Sequence, residues 1–333
     1  MKYPKYLLLN AFLLLSAILN AQYTDVINSN RPGLSTSAYS VGKNVIQGEF
    51  GFAFENQEHV GLLTEANNYG LDFAFRYGLF FEQLEINWEG TFNFQSFTFN
   101  GVNPPLEGNN SNFLSNVIGV KYLIFDPYKN QKDQKPNLYS WKANNSFKWR
   151  DLIPAISVFA GANILLPDNP FFPDDPVVSP KVAVYAQSHI SGRWVLIGNI
   201  IYDKFTTDDP VLSYIVSVTH NLKNPKWSIF AENQGINSDA FADISIRGGA
   251  ARLINKNFQI DASVGTNFKN TPSRFFGTIG VSYRLDYHED ELIPIERTIK
   301  SKTKYNRKKK KKKGKKKDEK DNTIPDDTNI PAF

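Results

Sequence analysis

Residues 69–77 read Tyr69-Gly70-Leu71-Asp72-Phe73-Ala74-Phe75-Arg76-Tyr77. The odd positions hold four aromatic rings and a leucine; the even positions hold glycine, alanine, a carboxylate and a guanidinium. Successive side chains of a β-strand point to opposite faces, so this stretch has one wholly apolar face and one small or charged face. Phe50, Phe52 and Phe54 stand in the same relation to Gln47, Glu49 and Gly51. So do Leu84, Ile86 and Trp88 to Gln83, Glu85, Asn87 and Glu89, and Phe275, Ile279, Val281, Tyr283 and Leu285 to Thr278, Ser282 and Arg284. Repeated period-2 segments of about ten residues are the mark of strands that meet lipid on one side and a watery lumen on the other.

Read this way, the 333-residue chain carries strands near 45–55, 67–77, 80–98, 113–125, 152–165, 179–190, 193–204, 211–221, 226–234, 241–255, 257–267 and 275–286. The stretch 80–98 is long enough for two strands, and 152–165 is apolar on both faces. Short turns fall at Gly78-Leu79, Ser191-Gly192, Leu222–Pro225 and Asn255-Lys256, and longer polar links at 56–66, 99–112, 166–178, 205–210, 235–240 and 268–274. The link 126–151 is long where this rhythm asks for a short one. The expected fold is all-β: a transmembrane antiparallel up-and-down barrel of about twelve strands over 45–287, with both termini periplasmic. A secreted β-sandwich also alternates, but it supplies no reason for a short–long rhythm of connections.

The ends of the chain read differently. Lys2 and Lys5, the apolar run Leu7–Leu19 and Leu19-Asn20-Ala21 describe a signal peptide over residues 1–21. Residues 22–44 form an N-terminal periplasmic or plug-like segment. Residues 297–320 contribute a charge of +13, residues 1–21 add +2 and residues 321–333 add −3, so 22–296 carries −7 of the net +5. The lysine-rich stretch 288–333 reads as a disordered basic tail. Its charge suits anionic lipid or peptidoglycan, and with the C-terminus expected in the periplasm nucleic acid is not an expected partner.

With no cysteine, disulfides and thiolate chemistry are excluded. His59, His189, His220 and His288 are scattered, without metal-ligand spacing. There is no G-x-S-x-G elbow, and Ser188-His189 and Thr219-His220 are strand neighbours that point apart. Neither an enzyme nor a cofactor is expected.

The order of certain motifs adds a resemblance. Asn28-Ser29-Asn30-Arg31-Pro32-Gly33-Leu34-Ser35-Thr36-Ser37 leads into Val45-Ile46-Gln47-Gly48-Glu49-Phe50-Gly51-Phe52, followed by Ile153-Pro154-Ala155-Ile156-Ser157, Leu165-Leu166-Pro167, Trp227-Ser228-Ile229-Phe230-Ala231-Glu232, Asn257–Asp261 and Gly280–Leu285. Over about residues 25–287 this resembles the barrel family named for a meta-pathway of phenol degradation. The resemblance implies an outer-membrane barrel of transporter or channel type in a Gram-negative (diderm) bacterium, and it transfers no catalytic residue. Asn30 stands where that family usually has Asp, and the lysine tail has no counterpart in the pattern.

The candidate pore-lining charges are Glu49, Asp72, Arg76, Glu85, Lys121, Lys181, Asp261 and Arg284, since charged rings or pairs select among solutes; cross-strand pairing in a polar interior accounts for them equally. Arg31, Pro32 and Gly33 read as a turn, or as the tip of a segment folded into the barrel with Arg31 paired to a lumen acid. Asp168–Pro176 packs acids, prolines and two phenylalanines into one external loop, suited to a cation or an apolar ligand, or to a stiff cover over the mouth. The function expected is passive passage of small, hydrophobic or aromatic, solutes through the outer membrane. The alternative is a structural or adhesive barrel with a side-chain-filled lumen, loops that bind a partner and a tail that tethers it to the periplasmic layer.

Overall fold

A computed structural model describes residues 26–127, 139–140, 149–190 and 193–289. The signal-peptide reading, the turn Ser191-Gly192, most of the link 126–151 and the lysine-rich tail lie outside them.

Twelve strands form one closed antiparallel barrel in which each strand pairs with its sequence neighbours and the last pairs with the first. They are β1 (Val45–His59), β2 (Thr64–Gly78), β3 (Leu84–Phe99) and β4 (Leu106–Phe125). Then come β5 (Ala155–Ile164), β6 (Val178–Ile190), β7 (Trp194–Asp203) and β8 (Val211–Asn221). The circuit ends with β9 (Trp227–Asn237), β10 (Ala242–Asn255), β11 (Phe258–Asn267) and β12 (Ser273–Asp286). A short 3-10 helix, Trp149–Leu152, precedes β5. Closure pairs Val45 with Asp286 and Glu58 with Ser273, so no strand edge is left for lipid to meet.

The faces follow the alternation. Phe50 is 48% exposed and Phe52 44%, while their neighbours Gln47 and Glu49 are buried inside. Exposed here means outward, and the outward side is apolar: a lipid-facing wall around a polar interior. Aromatic residues mark both rims of the apolar band. Tyr69 and Tyr77 on β2, Trp194 and Tyr202 on β7, and Phe275 and Tyr283 on β12 are outward pairs eight residues apart. At ~3.3 Å per residue and a tilt of ~40° that spacing covers roughly 20 Å of height, close to the apolar band of an outer-membrane barrel.

Three expectations are corrected. The strand read over 80–98 is one strand, as counted, but it begins only at Leu84, because 79–83 makes a turn closed by Leu79 N–H to the Leu84 carbonyl at 3.0 Å. The segment apolar on both faces forms strand only over Ala155–Ile164. The long links 56–66 and 99–112 shrink to 60–63 and 100–105, because β1–β4 continue past the apolar band. Outward positions there turn polar, as in the Asn56–Asn67 side-chain pair at 3.0 Å, so the apolar half of the alternation ends before the strand does.

Candidate functional site

Residues 27–41 run through the barrel interior. The segment enters at the end of the barrel that holds Val45 and Asp286, where the Ile27 N–H donates to the Lys256 carbonyl at 2.8 Å. It climbs along β1, β12 and β11. Ser29 Oγ donates to Glu49 at 3.1 Å, and the Asn30 and Arg31 N–H groups reach the same carboxylate at 3.3 Å. At Arg31-Pro32-Gly33 the chain turns. Arg31 Nε lies 3.3 Å from Asp261 and Nη1 3.8 Å from Asp72.

From there the segment crosses the lumen to the far wall and descends. The Leu34 and Ser35 N–H groups donate to Glu232 at 3.0 and 3.1 Å. Thr36 exchanges two hydrogen bonds with the Asn199 amide, at 2.6 and 2.9 Å, and Ser37 Oγ donates to Gln187 at 2.7 Å. Ala38 packs into a small interior cluster with Val117, Phe159, Ala183 and Tyr185. The Val41 N–H donates to Glu85 at 2.8 Å. Gly42, at φ 98°, then turns the chain into β1, and a Cβ on Gly78 would overlap the Gly42 carbonyl. Such an irregular stretch lacks a ladder of its own, so side chains of the wall must satisfy its backbone groups.

Beneath the descending arm lies a buried charge cluster. Arg76, Glu85 and Lys121 are each at most 2% exposed. Arg76 Nε donates to Glu85 at 2.8 Å, Lys121 Nζ lies 3.0 Å from the same carboxylate, and Glu49 stands 3.6 Å from Arg76. Both cations also serve the segment: Arg76 Nη1 donates to the Asn28 carbonyl at 2.9 Å, and Lys121 Nζ to the carbonyls of Ser37 at 3.2 Å and Tyr39 at 3.0 Å. Removing the segment would leave these donors facing an empty lumen.

Between the segment and the β6–β11 wall is a 290 Å³ cavity with a mixed lining: Ile197, Phe230 and Leu253 beside Ser217, Thr219 and Gln259.

Residues 29–285 match the model of the family described as "Putative MetA-pathway of phenol degradation". The chain belongs to this family. No curated protein matches the chain. Among solved structures it is similar to an outer-membrane channel from Pseudomonas putida F1 (10% identity, 78% of this chain and 100% of that one, TM-score 0.46). It is also similar to the CymD monoaromatic hydrocarbon channel (9%, 74% and 90%, 0.39) and to a Pseudomonas aeruginosa FadL homologue (7%, 74% and 91%, 0.38).

In this family member all eight charges singled out from alternation point inward, but they divide into two groups. Glu49, Asp72, Arg76, Glu85, Lys121 and Asp261 meet the inserted segment. Lys181 instead pairs with Glu89 at 3.2 Å, and Arg284 with Asp286 at 3.2 Å. The far half of the lumen holds charges missing from that set: Arg274 pairs with Glu55 at 2.7 Å and with Asp243 at 3.2 Å.

Glu232, Asn199 and Gln187, which hold residues 34–38 of the segment, were also outside the candidate set. Alternation gives their inward direction (Ile229 and Ala231 flank Glu232 on the other face), but no local signal couples them to residues more than a hundred positions earlier. The acidic, proline-rich loop is stitched in place. Asn169 Nδ2 donates to the Phe113 carbonyl at 2.7 Å, and Asp175 pairs with Lys204, whose Nζ sits 3.6 Å from the centre of the Phe172 ring. Among the described residues no cluster of three or more acids or histidines could hold a metal ion.

Proposed function

We propose that this barrel passes small amphipathic solutes, single-ring aromatics among them, across the outer membrane without energy input, and that residues 27–41 are its gate. The observation that carries the reading is the 290 Å³ cavity beside the inserted segment. It exceeds the roughly 150 Å³ space that holds benzene in an apolar protein core. Its lining pairs a phenylalanine and branched aliphatics with hydroxyls and an amide, which suits a ring bearing one polar group. Family membership and the channel names among similar structures agree with this choice of solute. The gate is held mainly by hydrogen bonds to wall side chains, and these exchange with water more readily than a packed apolar core separates. Both chain termini then lie in the periplasm, because tight turns and termini share one end of such barrels. The interior charges line the route once the segment withdraws. No catalytic step belongs to this reading.

Planar-bilayer recording of the refolded protein, beside a variant lacking residues 27–41, is the test. The expected result is small conductance steps for the intact chain and several-fold larger steps for the deletion. A deletion variant that assembles yet stays electrically silent would overturn the reading in favour of a structural or adhesive barrel with a filled lumen.

A further inference from the structure

The arc of the barrel from β6 to β11 is electrically polar along the barrel axis. On the arc from β5 to β12 the loops 165–177, 204–210, 238–241 and 268–272 carry Asp168, Asp174, Asp175, Asp208, Asp209 and Asp239 against two lysines, Lys204 and Lys269. The turns at the opposite end of the same strands reverse the sign. Turns β6–β7, β8–β9 and β10–β11, with the strand ends beside them, carry Arg193, Lys223, Lys226, Arg252 and Lys256. No Asp or Glu occurs in 188–194, 219–228 or 250–259. The strands are consecutive around the wall, so these three turns lie side by side as one rim. All five cations are exposed.

The rim also has a depth marker. Trp194 and Trp227 point outward at the first residues of β7 and β9. Trp194 lies against the His220 ring with centroids 4.2 Å apart, and the Arg252 guanidinium lies 5.3 Å from the centre of the Trp227 ring. Tryptophans of this kind sit at headgroup level in a bilayer. The cations around them are therefore held in the plane of the lipid phosphates, where each adds to attraction for an anionic surface.

We infer that the β6–β11 rim is a binding surface for anionic phospholipid headgroups of the leaflet at this end of the barrel. Guanidinium and ammonium groups would hold the phosphate diester while the two tryptophans take up the glycerol and upper acyl region. A neutral zwitterionic lipid offers the same phosphate but brings its own ammonium group, so the surface discriminates by net charge. The cations belong to the barrel itself, so this binding is independent of the lysine-rich tail and of whether the lumen conducts.

The test is native mass spectrometry of the purified full chain released from micelles containing equal amounts of phosphatidylglycerol and phosphatidylcholine. The expected result is a preference of about tenfold or more for retained phosphatidylglycerol, falling at least several-fold in R193Q/K223Q/K226Q/R252Q/K256Q and weakening in high salt. Heat-dependent mobility on a denaturing gel reports whether each variant is a folded barrel. If the five-site variant does not assemble, K226Q/R252Q must show a partial loss. Truncation after Glu289 must leave the preference in place. Equal retention of the two lipids by the intact protein, an unchanged preference in the substituted barrels, or loss of preference on truncation alone would each overturn the inference.

Discussion

Gly51 on β1 and Gly280 on β12 are direct partners across the strand pair that closes the barrel, and the Arg31 guanidinium lies against both. A Cβ at either position would overlap that guanidinium. The missing side chains make a recess in the wall just where the inserted segment turns, between the carboxylates of Asp72 and Asp261. Glycine matters here for close approach rather than for backbone freedom.

This recess yields a prediction about the gate rather than the wall. The atoms that an added methyl would meet are the far end of a long side chain, so Gly280→Ala expels the guanidinium and leaves the strands paired. The expected outcome is a folded barrel, judged by heat-dependent gel mobility, with faster amide hydrogen exchange over residues 28–37. Unchanged exchange there would show that Arg31 does not anchor the turn.

Glu85 bridges two buried cations and also accepts the Val41 N–H. Glu85→Gln keeps the shape and removes the charge that Arg76 and Lys121 share. Breaking a buried ion cluster from one side costs about 3 kcal/mol or more. The midpoint of urea unfolding in lipid vesicles should fall accordingly, and E85Q/K121M should recover part of the loss because one uncompensated cation goes with it.

Glu232 takes two backbone N–H groups from the segment and lies 4.0 Å from Arg247. Glu232→Ala leaves both amides without their acceptor, at roughly 1–3 kcal/mol for each buried group left unmade. Single-channel recording should then show more frequent openings than in the intact protein, with the open level unchanged. A silent E232A channel would count against the segment as a gate.

Gly78 and Gly42 meet backbone to backbone, and a side chain at Gly78 has no flexible atom to push aside. The Asn44 N–H also donates to the Gly78 carbonyl at 3.0 Å. Gly78→Ala should cost about 1–3 kcal/mol as overpacking and lower refolding yield more than Gly280→Ala does.

Truncation after Glu289 should leave barrel assembly intact, since closure is complete at the Val45–Asp286 pair. Gel mobility before and after heating checks this directly.

The wall of this protein was legible from residues such as Phe73 and Arg76 because lipid and lumen impose opposite demands on adjacent side chains, and a one-residue step between them is a local signal. The strand count, the outward rings and the inward direction of all eight candidate charges follow from that step alone. Strand lengths were less legible: where β1, β2 and β4 rise beyond the apolar band, both faces turn largely polar and the signal fades although the hydrogen-bond ladder continues.

What each inward charge meets was decided by tertiary structure. Glu49, Arg76 and Glu85 looked alike as lumen charges, yet closure of the ring brings them against residues 28–41 and sends Lys181 to Glu89 instead. Arg31-Pro32-Gly33 is a turn by composition, but only the barrel around it supplies Asp261, the Gly51–Gly280 recess and Glu232. The physical reason is range: alternation is written between neighbours, whereas an irregular segment inside a barrel is satisfied by partners up to 253 positions away, as between Ser29 and Ser282.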